Sequence, residues 1–254
     1  MKVAIITGAS SGIGEAVAQE LHRRGWRVGL IARREEKLKA IVAALGENAA
    51  FATADVADEA ELSGAVASIE ADLGPCDLMF ANAGIGDGRS ARGFSAEATK
   101  KILRVNVDGV IHAFAAVLPG MVERGHGALA VTSSVAGFRG LPNFGAYSSS
   151  KACVTALAEA MRVDLRSSNI SVTTVHPGFV VSELTDRNAF SMPFLVKTER
   201  AGRIIANGLE RGKSEVNFPW QMICLMKLVS YVPNWLYDRV VGVLSPTNPK
   251  KEEA

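Results

Sequence analysis

The chain has 254 residues, 48% of them hydrophobic and 21% charged, too apolar for a disordered or low-complexity polymer and apolar enough to offset the entropy of ordering the backbone. Lys plus Arg total 28 against 26 Asp plus Glu, a net charge of +2, so no field points to nucleic acid as a partner. Three well-separated cysteines, Cys76, Cys153 and Cys224, argue against a disulfide framework and for reduced thiols in a cytoplasmic protein.

The first predicted strand is the β-branched run 3–6, bounded by Thr7-Gly8 and suited to burial on both faces. This apolar run is too short for a secretory signal and leads straight into glycines. Residues 12–24 carry Ile13, Val17 and Leu21 at helical spacing, with Gly25 as the expected C-cap. A strand over 27–32, a helix over 35–45 and a strand over 49–55 follow; a helix then begins at Asp58, where Asp58-x-x-Glu61 has the form of a capping box. Strands at 77–81 and 127–133 flank a long helical stretch over about 95–124, and a helix over 147–167 leads to a strand at 170–176. Repeated β-α-β units require right-handed crossovers and a parallel sheet covered on both faces. The expected fold is one α/β domain over 1–245, a Rossmann-like doubly wound parallel sheet. Beyond Gly178 the pattern loosens: 198–211 is amphipathic, 215–218 suits an edge strand, and 246–254 is a polar tail. Apolar residues dominate 219–244, but Lys227, Pro233, Asp238 and Arg239 divide them into runs too short to span a bilayer.

The segment Thr7-Gly8-Ala9-Ser10-Ser11-Gly12-Ile13-Gly14 lies between the first strand and the first helix. Glycines there permit a tight turn and let backbone N–H groups approach a pyrophosphate, whose charge the helix N-terminus favours. The end of the second strand decides between dinucleotides: NAD folds present a carboxylate to the ribose 2′-hydroxyl, whereas an Arg accommodates the 2′-phosphate of NADP. Here the strand ends Ile31-Ala32-Arg33-Arg34, so NADP(H) is favoured, with NAD(H) as the alternative if Glu35 or Glu36 serves the ribose.

In Tyr147-Ser148-Ser149-Ser150-Lys151 the phenol and ammonium stand four residues apart on a predicted helix, hence on one face. A fixed cation stabilises the phenolate of a Tyr that is otherwise a poor base at neutral pH. Ser134 precedes Tyr147 at the end of a predicted strand, where parallel strands open their ligand crevice. Together Thr-Gly-x-x-x-Gly-x-Gly, Asn82-Ala83-Gly84, Asn106, Ser134, Tyr147-x-x-x-Lys151 and Pro177-Gly178 occur in the order of the short-chain dehydrogenase/reductase family, which the chain closely resembles over about residues 1–186.

The resemblance implies a nicotinamide-dependent oxidoreductase interconverting a secondary alcohol and a ketone. Tyr147 would give or take the proton, Lys151 would bind the nicotinamide ribose and lower the Tyr147 pKa, Ser134 would hold the substrate oxygen, and Asn106 would keep a water in a relay to Lys151. Asp55-Val56 would contact adenine, Asn82-Ala83-Gly84 would support the cofactor, and Pro177-Gly178 with Val180 would wall the nicotinamide. Ser182 stands where the family often has Thr, and Ala81 where it often has Asn; both replacements stay small or keep the hydroxyl.

Family members build a variable lid from the segment corresponding to 182–245. Phe190, Met192, Phe194 and Leu195, with Trp220, Met222, Met226, Trp235 and Leu236, fit a bulky hydrophobic carbonyl or alcohol substrate, a subunit interface or ordinary core, or a peripheral membrane contact over 219–244. The resemblance also implies a homodimer or homotetramer through the long helices. No histidine has metal-ligand spacing, and His176 reads as a packed strand-end residue. The competing class is a non-enzymatic dinucleotide sensor or scaffold on the same fold; an epimerase or dehydratase would need a further acid or base in the lid.

Overall fold

The β-branched and apolar runs form parallel strands, the central ones burying nearly every side chain, and the computed structural model describes residues 1–86, 88–183, 185 and 191–244. Phe190 and the tail 246–254 lie outside the described residues. Strands β1 (Val3–Thr7), β2 (Arg27–Ala32), β3 (Ala49–Thr53), β4 (Leu78–Ala81), β5 (Gly127–Thr132), β6 (Ile170–Pro177) and β7 (Glu215–Phe218) pair in the order β3-β2-β1-β4-β5-β6-β7, every pair parallel. The order reverses between β1 and β4, and ligands of such sheets bind in the crevice beyond the carboxyl ends of strands at that point.

Helices α1 (Gly12–Arg23), α2 (Glu35–Leu45) and α7 (Thr198–Glu210) cover one face, burying Val17, Leu21, Leu38 and Ile205. On the other face α3 (Glu59–Leu73), α5 (Gly109–Arg124) and α6 (Gly145–Asp164) bury Leu62, Ile69, Phe114, Val117 and Val154. Each of these side chains is withdrawn from water, worth about 1.5–3 kcal/mol for a full-sized aliphatic or aromatic group. The segment Ala96–Arg124 is long and apolar enough to cross a bilayer by length and composition, but its apolar face is spent on this core.

Three local expectations shift. Asp58 caps α3 by accepting from Glu61 N at 2.9 Å, but the Glu61 carboxylate accepts from Asp55 N instead of Asp58 N, so only half of the capping box forms. The helix expected over 95–124 is α4 (Ala96–Leu103) joined to α5 by a π-helical turn, Arg104–Asp108, which carries Asn106 into the interior. Helix α6 begins at Gly145 and stops at Asp164, and a 3₁₀ turn covers Arg166–Ser168. The chain after β7 folds into two short helices, α8 (Trp220–Ser230) and α9 (Asn234–Leu244).

Candidate active site

The glycine turn leaves β1 and doubles back into α1. Gly8 has φ +64, and a Cβ there would stand 2.7 Å from Ala83 Cα; a Cβ on Gly14 would stand 2.5 Å from the Gly8 carbonyl oxygen. Thr7 Oγ1 accepts from the backbone N–H groups of Asn82 and Ala83 at 3.0 and 3.1 Å, and Asn82 Nδ2 donates to Thr7 O at 3.1 Å. The Thr132 hydroxyl donates to Asn82 Oδ1 at 3.0 Å. Thr7-Gly8 and Asn82-Ala83-Gly84 are therefore one hydrogen-bonded unit at the switch point. Ser11, the N-cap of α1, makes no side-chain cap bond, so the first N–H groups of α1, around Gly12 and Ile13, present donors to an anion. These features fit a dinucleotide pyrophosphate. Gly14→Ala is expected to lower dinucleotide affinity at least about tenfold and to cost about 1–3 kcal/mol of stability, the usual range for overpacking; a dye-based melt and a fluorescence titration read the two effects.

Arg34 lies over this turn: its guanidinium donates to Ser10 Oγ at 3.0 and 2.9 Å and to Ser11 Oγ at 2.6 Å. Arg33 instead leans on Asp55 at 3.4 Å. Asp55 Oδ1 accepts from Ala57 N at 3.0 Å, and Val56 is buried in the core with its carbonyl bonded to His112. Two further residues join the group. Glu183 pairs with Arg34 at 2.6 Å and with Lys37 at 2.5 Å, which holds its carboxyl below the usual range. Lys37 was within reach of sequence reasoning, lying on the first turns of α2 three residues after Arg34. Nothing in the local sequence marks Glu183, which comes from the loop after β6.

Ser134 follows β5 and caps a 3₁₀ turn at Val135–Gly137, accepting from Ala136 N at 3.1 Å. Tyr147 lies on the first turn of α6, near the Ser134 side chain. Lys151 is buried, donates to Thr132 O at 2.7 Å and sits 5.7 Å from the centre of the Tyr147 ring. The three residues thus converge beyond the end of β5. Burial pushes the Tyr147 phenol up, opposed by the nearby Ser134 side chain, and burial brings the Lys151 ammonium down to about 8. The expected lowering of the Tyr147 pKa is therefore not seen in this arrangement, because desolvation of the phenolate is the larger effect.

A buried Lys whose folded pKa lies below its unfolded value costs stability. The unfolded chain binds the extra proton between about 8 and 10.5, so stability rises with pH through that window and the full penalty applies below it. Lys151→Met is expected to raise the melting temperature at pH 7 by several degrees, at about 2–4 °C per kcal/mol for a chain of this size, and to flatten the dependence between pH 8 and 10. Melts at pH 7, 8 and 10 report both.

Asn106 is fully buried: Oδ1 accepts from Ile85 N at 2.8 Å, and Nδ2 donates to Ile85 O and Ser150 Oγ, both at 2.9 Å. Its amide hydrogens are both used, so a water at Asn106 would have to donate, either to the second lone pair of Oδ1 or to the main-chain carbonyl. A methyl group on Gly84 would stand 3.4 Å from both Asn106 Oδ1 and Lys151 Nζ, which places both groups around one point.

Pro177-Gly178 ends β6, with Gly178 N donating to Phe218 O at 2.7 Å. Val180 is buried and bridges to Val196, while Ser182 N donates to Thr185 Oγ1 at 2.9 Å. His176 is buried between Asn217, 3.0 Å from Nδ1, and Thr155, 3.4 Å from Nε2, with the Phe138 ring tilted against it at a centroid distance of 4.8 Å. Val135, next to Ser134, packs with Met222, Ile223, Met226 and Phe138 in a separate apolar cluster. The apolar residues expected to act together after Ser182 divide: Met222 and Met226 join that cluster, whereas Phe194, Leu195, Trp220, Trp235 and Leu236 are exposed.

The chain matches the short chain dehydrogenase family over residues 2–191 and belongs to that family. It is an oxidoreductase of this class by fold and by relatives. An uncharacterized oxidoreductase of Myxococcus xanthus (strain DK1622) is 41% identical over 240 residues, spanning 93% of this chain and 95% of the relative. A 3-ketoacyl-(acyl-carrier-protein) reductase from Brucella melitensis, complexed with NADH, superposes with a TM-score of 0.79 at 25% identity over 84% of this chain and 94% of its own. An actinorhodin polyketide ketoreductase variant with NADPH gives a TM-score of 0.79 at 28% identity, over 87% of this chain and 97% of its own.

Proposed function

We propose that the protein interconverts a secondary alcohol and a ketone on a hydrophobic substrate, using NADP(H), with Tyr147 as the acid/base. The observation that carries this reading is the convergence of Tyr147, Ser134 and Lys151 at the carboxyl end of β5, beside the apolar cluster of Val135, Phe138 and Met222. The dinucleotide, when bound, supplies or accepts the hydride. The chain's own residues do the rest. Ser134 offers a hydroxyl to the substrate oxygen, and Tyr147, beside Ser134 at the same end of β5, passes a proton to or from that oxygen. Lys151 brings a positive charge under the Tyr147 ring, where it favours the phenolate once substrate and cofactor exclude water. Asn106 fixes the Ile85 backbone and the start of α6 through Ser150, holding Tyr147 and Lys151 in register.

Arg34, Lys37 and the hydroxyls of Ser10 and Ser11 form a donor group at the end of β2 that suits a 2′-phosphate. Glu183 pairs with Arg34 and Lys37, a carboxylate on the same cations, which supports this reading. The test is consumption of NADPH and NADH across aliphatic, aromatic, steroid-like and long-chain ketones. We expect turnover to rise with apolar bulk and kcat/KM to favour NADPH at least about tenfold. Equal or better use of NADH would sink the cofactor assignment, and inactivity across the panel would sink the reaction.

A further inference from the structure

Helix α8 has two unlike faces. Met222, Ile223 and Met226 point inward against Val135, beside the site. The opposite face presents Trp220, Leu228 and Tyr231 at 70%, 68% and 85% exposure, with Leu225 also exposed. Helix α9 continues the exposed surface with Trp235 at 71%, together with Leu236 and Val240. It is fastened through Tyr237, whose hydroxyl donates to Gly140 O at 2.6 Å and whose ring lies 4.4 Å from the Arg139 guanidinium. Arg139 in turn donates to Ser230 O and Asn234 Oδ1, stapling the α8–α9 junction. Single exposed apolar residues are ordinary, but a run of this size on two successive helices marks a contact surface.

We propose that this outer face of α8 and α9 is a peripheral contact with an anionic lipid surface. Three features select that occupant. Its largest exposed side chains are Trp and Tyr, whose amphipathic rings favour the headgroup level of a bilayer. Each helix has 11 residues, too short to cross but suited to lying in the interface plane. Among the described residues the charged groups around the face are the cations Arg139, Lys227 and Arg239 and the carboxylates Glu215 and Asp238; Lys227 and Glu215 pair at 3.6 Å, while Arg139 donates to the neutral acceptors Ser230 O and Asn234 Oδ1. That surplus attracts anionic headgroups, whereas a two-fold contact with a second copy would set it against itself. Residues 245–254, Ser-Pro-Thr-Asn-Pro-Lys-Lys-Glu-Glu-Ala, hold no large apolar side chain that would cover the face. Because α8 also packs beside the site, an apolar substrate dissolved in the bilayer would lie close to where it reacts. This last point rests on the proposed reaction; the lipid contact does not.

The experiment is co-sedimentation of the full chain with phosphatidylcholine vesicles, with and without phosphatidylglycerol. The protein is expected to pellet with the mixed vesicles. A Trp220→Ser/Leu228→Ser/Trp235→Ser variant should lose at least about tenfold in binding while keeping turnover of a small water-soluble ketone within about twofold. Arg239→Ala keeps every apolar residue and should weaken binding to the anionic vesicles about fivefold, leaving neutral ones unaffected. Failure of the unaltered chain to pellet overturns the proposal. So does equal pelleting by the triple variant, or an Arg239→Ala loss that is the same on both vesicles. A dimer in analytical ultracentrifugation that the triple variant dissolves, without vesicle binding, assigns the face to a second copy and likewise overturns it. Inactivity of the unaltered chain on every ketone counts against the reaction and leaves the vesicle result readable.

Discussion

Tyr147→Phe is expected to reduce kcat by at least about 10³-fold while changing the Kd for NADPH by less than about threefold. The substitution removes one oxygen and leaves the ring in place over Lys151. The lost group is the proton donor or acceptor proposed above, a role worth about 10²–10⁴-fold in general acid–base catalysis, and Ser134 keeps its bond from Ala136 N. Stopped-flow turnover and a nucleotide fluorescence titration on one preparation separate the two effects; retained turnover would defeat the mechanism. The direction of the reaction should also titrate oppositely. A phenol held up by burial stays protonated at neutral pH, so the proton for ketone reduction is in place there, and reduction is expected to fall as pH rises through the Tyr147 pKa. Alcohol oxidation needs the phenolate and should rise over the same range.

Cofactor choice carries the second large effect. Arg34→Ala is expected to raise the Kd for NADPH about 10–100-fold, the loss of hydrogen bonds to a charged group worth about 1.5–3 kcal/mol, and to leave NADH within about threefold. Glu183→Gln should act with the opposite sign. Its carboxylate holds both Arg34 and Lys37, so a 2′-phosphate must compete with it, and removing the charge should tighten NADPH severalfold without improving NADH. The ion pairs are largely exposed, which keeps the gain modest. Calorimetric titration of both nucleotides against both variants decides the matter: parallel shifts for NADPH and NADH would show that these residues contact the shared part of the dinucleotide.

Much of this site was legible because its parts are local. Tyr147 and Lys151 share a helix face through spacing alone, and the glycine turn is a contiguous segment whose need for Gly8 and Gly14 is steric. Alternating strands and helices sufficed for a parallel sheet. Less legible was the partner of each side chain. The Glu61 carboxylate left the capping box for Asp55 N, while Asp58 N donates to Asp55 O at 3.0 Å in the folded loop. Asn106 entered the interior through a π turn that helical periodicity does not announce. Arg33 and Arg34 are chemically identical neighbours, and the fold sends one to Asp55 and the other over the glycine turn.

The sequence by itself determined the fold class, the family and the candidate reacting groups, since strand and helix periodicity and the motif spacings act over a few residues. Only the tertiary structure decided what those groups feel and which apolar residues work together. Desolvation sets the directions at Tyr147 and Lys151, and burial depends on elements distant in the chain. The same holds for Glu183 and for the two faces of α8: apolar character is a property of a residue, but whether it becomes core or surface depends on what the rest of the fold brings against it.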